Sequence, residues 1–149
     1  MKLLKRMLAL AIFLALAPNP AEAEPPNLIG RWQGEATVLL QFNIETVQTS
    51  QMQILEITHH DGQMIRGLHL WAALEDGIYG NVAGEHVLEA SEPFIGVVGQ
   101  DGKTIRMVEI DDPGMLFATV LGPNELEVEY LEAGKTAVVW NAILRRVSE

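Results

Sequence analysis

Hydrophobic and polar residues alternate along most of the chain after Leu28, with the period of two that β-strands show. The clearest example lies at residues 125–130, where glutamates alternate strictly with Leu126, Val128 and Tyr130. Such a segment has one buried face and one solvated face. No window after Leu28 keeps the period of about 3.6 that an amphipathic helix needs, so the pattern predicts antiparallel strands.

Turn sequences separate these segments at short and fairly even intervals. Asp61-Gly62 and Asp101-Gly102 are typical of tight hairpins, because both residue types tolerate positive φ. A further turn is predicted at Asp111-Asp112-Pro113-Gly114. A calcium-binding loop is the other interpretation of this segment, but it lacks the alternating carboxylates of a dedicated site. The predicted strands cover residues 29–42, 52–59, 64–74, 79–89, 94–98, 104–110, 115–121, 125–130 and 136–147.

Eight or nine strands joined by hairpins predict an all-β fold, an antiparallel up-and-down meander in which each strand lies beside the next. An open meander leaves two edge strands, and closure into a barrel removes them. We therefore expect one barrel domain over residues 28–149, which is long enough to bury a core of its own.

The first 23 residues have the three parts of a secretory signal peptide. Three basic residues precede an apolar run at residues 7–17, and Ala21-Glu22-Ala23 provides small residues for cleavage after Ala23. The apolar run is too short to span a bilayer. The mature protein is therefore expected to be periplasmic or secreted, with residues 24–27 as an extended, proline-stiffened arm.

Charge and cysteine content exclude several partners and several kinds of chemistry. Removal of the signal peptide takes away three of the ten basic residues and one of the twenty acidic ones, leaving seven against nineteen and a net charge of −12. Such a field repels nucleic acids and anionic membranes, so neither is an expected partner of the mature protein. The chain has no cysteine, which excludes disulfides, thiol catalysis, cysteine-ligated zinc and a lipoprotein-type anchor.

The two ends of the predicted barrel carry a family resemblance. The opening segment, Leu28-Ile29-Gly30-Arg31-Trp32-Gln33-Gly34, resembles the Gly-x-Trp opening of lipocalins and avidin-like barrels, the calycin-type fold. The last strand, which ends in Arg145 and Arg146, is similar to the closing strand of that superfamily. The resemblance implies that Trp32 plugs one end of the barrel and that Arg145 or Arg146 stacks over it. No set of biotin-contacting residues is present, so biotin binding is not implied.

Four histidines raise the question of a metal site. His59 and His69 lie on hairpin partners and could be cross-strand neighbours, with Asp61 as a third ligand. His60 points to the opposite face from His59 if both lie on the strand. Exposed or structural roles explain these histidines more simply, and we predict neither a metal nor another cofactor.

Strand 104–110 offers a polar anchor for a ligand in either of two registers. Glu109 shares a face with Ile105 and Met107, whereas Arg106 lies on the opposite face. If the first face is the interior, burial should raise the pKa of Glu109. The alternative register places Arg106 inside the barrel instead.

Aromatic residues on several strands are candidates for the core or for the wall of a ligand pocket. The aromatic candidates for ligand contact are Trp71, Phe117, Tyr130 and Trp140. Glu109 and Arg106 are the polar candidates. An eight-stranded barrel can fill with side chains or hold one small ligand. Gly67, Gly96 and Gly99 would leave space for one. No nucleophile elbow, zinc-protease motif or phosphate loop is present.

Three functions follow from this pattern. The first is a lipocalin- or avidin-like barrel that binds a small apolar or amphipathic molecule. The alternative is a protein-interaction module, for instance a periplasmic inhibitor that contacts an exported protein through residues 24–27. The third is an isomerase or cyclase that uses Glu109 or Arg106 in a barrel cavity. The oligomeric state is left open by the sequence.

Overall fold

A computed structural model describes residues 26–42, 44–73 and 90–148. The described residues form eight β-strands and no helix, hence none that could cross a membrane. The signal peptide, most of the N-terminal arm and the predicted strand 79–89 lie outside these residues. The strands are β1 (Gly30–Phe42), β2 (Glu45–Asp61), β3 (Met64–Ala73), β4 (Ala90–Val98), β5 (Thr104–Glu109), β6 (Gly114–Gly122), β7 (Glu125–Glu132) and β8 (Thr136–Arg146).

The eight strands close into an antiparallel barrel in which every strand pairs with its neighbours in the sequence. Pairing of β1 with β8 completes the ring and places Trp32 opposite Arg146. The predicted all-β, up-and-down barrel is therefore confirmed. The principal difference is β2, which begins at Glu45 because the polar segment that follows Ile44 pairs with the end of β1 instead of forming a loop.

Alternation along each strand separates the interior from the outer wall. On β7, Leu126, Val128 and Tyr130 are buried inside the barrel, whereas Glu127 and Glu129 are exposed. The same period places an apolar side chain from every strand in one continuous core. The charges of this acidic chain thus lie mainly on the outer wall, where water solvates them.

One end of the barrel, here called the closed end, is sealed by Trp32. Its side chain is 1% exposed, and its indole Nε1 donates a hydrogen bond to the carbonyl oxygen of Leu28 at 3.0 Å. The Arg146 guanidinium carbon lies 4.1 Å from the centre of the indole ring, a cation–π contact. Arg145 points outward and pairs with Glu125 at 3.0 Å. Of the two arginines, Arg146 therefore covers the tryptophan.

Gly30 makes room for this closure. Its φ of 136° is unfavourable for residues with a side chain, and a Cβ there would lie 2.9 Å from the Arg146 guanidinium. That guanidinium donates hydrogen bonds to the carbonyl oxygens of Ile29 at 2.5 Å and Asn27 at 2.7 Å. The Gly-x-Trp sequence and the terminal arginine therefore form one structural unit, which also anchors the chain before β1.

The glycines expected to leave space inside the barrel do not do so. A Cβ on Gly67 would collide with the Phe94 ring and with the backbone of β2, and one on Gly96 would lie 2.6 Å from the Met107 side chain. Gly99 packs against Thr104 in a turn. Large neighbours occupy the volume that these glycines free, so the interior toward the closed end is filled.

Candidate functional site

A cavity of about 380 Å³ lies at the other end of the barrel, here called the open end. It is bounded by residues near the ends of β1, β3 and β7, by the middle of β2, by residues near the starts of β4 and β8, and by the turn after β5. Side chains that point inward at this level are largely polar or aromatic, whereas those at the closed end are apolar. The barrel is therefore solid at one end and hollow at the other.

A buried hydrogen-bonded network, here called the interior network, lies beneath and beside the cavity. His69 is at its centre and is 2% exposed. Its Nδ1 lies 2.6 Å from Glu109 Oε1, and its Nε2 lies 3.0 Å from Gln53 Oε1. Gln53 Nε2 in turn donates to Gln51 Oε1 at 3.0 Å. The network continues from Glu109 to Tyr130 and Glu132.

The amide of Gln53 determines the protonation of His69 at one nitrogen. Because the Gln53 nitrogen donates to Gln51, its oxygen faces His69 and accepts a hydrogen from Nε2. The other ring nitrogen, Nδ1, makes a short 2.6 Å hydrogen bond with the Glu109 carboxyl. The buried carboxyl group of Glu109 is thus hydrogen-bonded to His69, as a buried charged group requires.

Tyr130 links two carboxyl groups. Its hydroxyl lies 2.8 Å from Glu109 Oε2 and 3.0 Å from Glu132 Oε2. Burial first, and then the hydrogen bond to Glu109, raise the pKa of Tyr130 far above its usual range, so the phenol stays protonated. Burial is also the largest cause that raises the pKa of Glu132. The Tyr130 hydrogen bond acts against it, and the negative charges of Asp112 and Glu109 raise the pKa further.

Gly114, the first residue of β6, leaves the space that this network occupies. A Cβ at this position would collide with the Glu109 carboxylate and would lie 2.5 Å from the Tyr130 hydroxyl oxygen. The turn at residues 111–113 ends at this glycine. The glycine therefore lets the Glu109 carboxyl and the Tyr130 hydroxyl meet inside the barrel.

Three aromatic rings surround His69 and form walls of the cavity. The ring centre of His69 lies 5.1 Å from that of Trp71, 5.3 Å from that of Tyr130 and 5.6 Å from that of Trp140. Tyr130 and Trp140 are stacked, with centres 5.5 Å apart and planes 12° from parallel. Flat aromatic walls of this kind favour a ligand with a planar or apolar body.

Carboxyl groups line the mouth of the cavity, which we define as Glu92, Asp112 and Glu132. Glu92 is the one acidic residue of β4, and its side chain lines the cavity. Partial burial, followed by the negative charges of Asp112, Glu109 and Asp111, raises the pKa of Glu92, and only His69 acts against this. The carboxyl groups of the mouth therefore act on one another electrostatically.

The structure brings four of the six residues proposed as ligand contacts to the open end. Trp71, Tyr130 and Trp140 line the cavity, and Glu109 lies in the interior network. The register of β5 places Glu109 inside the barrel and Arg106 on the outer wall. Phe117 also faces outward, beside Arg106. Neither of these two residues can reach a ligand in the cavity.

The two histidines considered for a metal site are separated by the register. His59 is exposed and lies opposite Arg66, whereas His69 is interior and lies opposite Leu55. A register shift in β2 between Ile57 and His59 contributes to this separation. Both nitrogens of His69 have protein partners. Within the described part of the chain, no group of three or more acidic, histidine or cysteine residues could hold a metal ion.

Several residues of the site were not predicted from the sequence, and all except Asp112 continue the alternation of a predicted strand. Glu132 extends the inward face of Leu126, Val128 and Tyr130 by one step, and Glu92 does the same for the face that contains Phe94. Gln51 and Gln53 likewise precede Leu55 on the inward face of β2. Polar residues on an otherwise apolar face were the available signal. Asp112, in a turn, gave none.

No protein-family model matches this chain, and neither the curated proteins nor the solved structures include one with significant similarity to it. The geometry of the open end is therefore the feature that indicates a function.

Proposed function

We propose that this chain is an exported calycin-like barrel that binds a small amphipathic molecule in the cavity at its open end. The observation that carries the proposal is the contrast between a filled closed end and a hollow open end lined by Trp71, Tyr130 and Trp140. A volume of about 380 Å³ is within the range of small-molecule pockets. Apolar walls with a few fixed polar groups are the usual composition of such sites.

Two further hollows, of about 400 and 790 Å³, lie on the outer wall along β1 and β8. The larger contains Gln33 and Arg145, outward side chains near the closed end. The cavity at the open end is the better candidate because buried polar side chains with fixed partners face it. His69 and Gln53, which are almost fully buried, both line it.

The two other functions considered above receive less support. An isomerase or cyclase would need a group free to exchange a proton with its substrate, yet both oxygens of Glu109 and both nitrogens of His69 have protein partners. An inhibitor would use residues 24–27, but Asn27 is held by Arg146 and the adjacent Leu28 is buried in the core.

The test uses the position of the three tryptophans. Trp71 and Trp140 line the cavity, whereas Trp32 lies under Arg146 at the closed end. We expect a panel of small apolar and amphipathic compounds to include some that quench the tryptophan fluorescence of the mature protein in a saturable manner. The Trp71→Phe/Trp140→Phe double variant should lose this response.

Trp32→Phe is the matched control and should keep the response, since its indole does not face the cavity. Near-ultraviolet circular dichroism verifies that each variant is folded. If no compound in a broad panel changes the fluorescence, or if Trp32→Phe alone removes the response, the cavity is not the binding site.

A further inference from the structure

We propose that the ligand of this cavity is an organic cation, with an ammonium or similar group at the mouth and an apolar body against Trp71 and Trp140. This inference rests on the proposed function and adds the charge of the ligand to it. It follows from three features of the cavity: the sign of its ionisable groups, its aromatic walls and an amide in its lining whose nitrogen has no acceptor among the described residues.

The first feature is a one-sided charge distribution. Three carboxyl groups line the mouth, and none of the described residues that line the cavity is Lys or Arg. The only basic residue among them, His69, is already paired with Glu109. The sequence contains no Lys or Arg between Arg66 and Lys103, which includes the end of β3 and all of β4. Lys135, in the turn after Glu132, is exposed and does not line the cavity.

His69, which is already paired with Glu109, is the one basic side chain among the described lining residues that opposes the charge of these carboxyl groups. The negative charges of Asp112, Glu109 and Asp111 all act on Glu92, and Asp112 and Glu109 also act on Glu132. A cation at the mouth would relieve this repulsion, whereas an anion would add to it. Opposite charges a few ångströms apart in a partly buried site attract far more strongly than they do in water.

The second feature is the aromatic lining beside the carboxyl groups. Trp71 is half-buried and Trp140 is 6% exposed, so each can offer part of a ring face to the cavity. An indole face attracts ammonium groups through its quadrupole, and this attraction is largest where water is excluded. The combination of indole faces with carboxylates is typical of sites that bind amines.

The third feature is Gln51, which points to a ligand independently of the charged groups. This side chain is 8% exposed and lines the cavity. Its oxygen accepts a hydrogen bond from Gln53, whereas its nitrogen has no hydrogen-bond acceptor among the described residues. This nitrogen is not among the fully buried atoms that lack a partner in the described residues, so it can donate to water or to a molecule in the cavity.

The charge of the ligand can be tested with three compounds that share one apolar body: phenethylammonium, phenethyl alcohol and hydrocinnamate. Their affinities for the mature protein are measured by titration calorimetry at neutral pH and low salt. We expect the ammonium compound to bind about tenfold more tightly than the alcohol, and the carboxylate to bind most weakly. The preference should shrink at about 0.5 M salt, because counterions screen the mouth.

Substitutions of the carboxyl groups at the mouth test whether the preference for the ammonium compound arises there. Glu92→Gln and Asp112→Asn should each weaken binding of the ammonium compound by about three- to tenfold and leave the alcohol unaffected. Glu127→Gln, which removes a charge from the outer wall of β7, is the matched control and should change neither affinity.

The outcomes distinguish the two proposals. Equal binding of the alcohol and the ammonium compound refutes the cation preference but leaves a binding cavity in place. If Glu127→Gln weakens ammonium binding as much as Glu92→Gln does, net charge rather than the mouth is responsible, and the proposal is wrong. If none of the three compounds binds, and the broader panel also fails, the binding function itself is refuted.

Discussion

Tyr130 has one hydroxyl hydrogen and two carboxyl neighbours, Glu109 at 2.8 Å and Glu132 at 3.0 Å. The hydroxyl can donate to only one of them at a time, so the two carboxyl groups compete for a single hydrogen. Burial raises the pKa of Glu132, the Tyr130 hydrogen bond lowers it, and the negative charges of Asp112 and Glu109 raise it further. The net direction is upward, so the fold disfavours the charged form of Glu132.

The raised pKa of Glu132 predicts that Glu132→Gln stabilises the protein at neutral pH. A carboxyl whose pKa is raised in the folded state stabilises the fold when protonated, and this contribution is lost as the pH rises through the folded pKa. Glutamine keeps a partner for Tyr130 without the charge. We expect the melting temperature at pH 7 to rise by about 1–3 °C, since Glu132 is only partly buried.

The same variant gives an internal control through pH. Below about pH 4 the glutamate is protonated, so the difference in melting temperature from the unaltered protein should disappear. Glu127→Gln, on the outer wall, should show no comparable gain at neutral pH. A gain for Glu132→Gln that persists unchanged in acid would contradict the raised pKa of Glu132.

At the scale of single strands, β6 begins and ends with glycines in different surroundings. Gly114 faces the Glu109 carboxyl and the Tyr130 hydroxyl, whereas a Cβ at Gly122 would meet nothing within 4 Å. Neither glycine has the positive φ that would disfavour a side chain for conformational reasons. An alanine at either position therefore causes no backbone strain, and only the alanine at residue 114 is crowded by its neighbours.

Gly114→Ala should destabilise the protein by about 1–3 kcal/mol, because the added methyl displaces Glu109 or Tyr130 from the interior network. Gly122→Ala, the matched control on the same strand, should leave stability almost unchanged. Urea denaturation measures both. Equal stabilities for the two variants would show that the Glu109–Tyr130 contact does not depend on the space at residue 114.

The junction of β1 and β8 gives a second prediction at this scale. Arg146→Met removes a cation–π contact and two hydrogen bonds to backbone carbonyl oxygens, so it should cost about 1–3 kcal/mol of unfolding free energy. Arg145→Met removes one exposed ion pair and should cost about 0.5 kcal/mol or less. Denaturant titration distinguishes them. Similar losses would assign the closing role to both arginines.

At the scale of the whole molecule, the barrel was predictable because local signals specify it. Alternation defines each strand, and Asp61-Gly62 and Asp101-Gly102 define two hairpins, so neighbouring strands pair without help from distant residues. The closing pair was also recognisable, although the choice between Arg145 and Arg146 was not. Adjacent residues on a strand face opposite sides, and a shift of one residue exchanges them.

The site was only partly predictable for the same reason. The pattern of β5 offered either Glu109 or Arg106 to the interior, and pairing with β4 and β6 decided in favour of Glu109. Asp112 belongs to a turn whose sequence satisfies a purely local role. Its place at the mouth results from closure of the ring, which brings residues from distant parts of the chain around one cavity.

The pairing of β1 with β8 also has a consequence for the time course of folding. All other pairings join strands that are neighbours in the sequence, whereas this one joins the first and last strands. Hairpins can form early between neighbouring strands, but closure of the ring requires β8, an eleven-residue strand, to meet β1. Until it does, strands at the open junction have unpaired edges, so the protein is most vulnerable to aggregation before the ring closes.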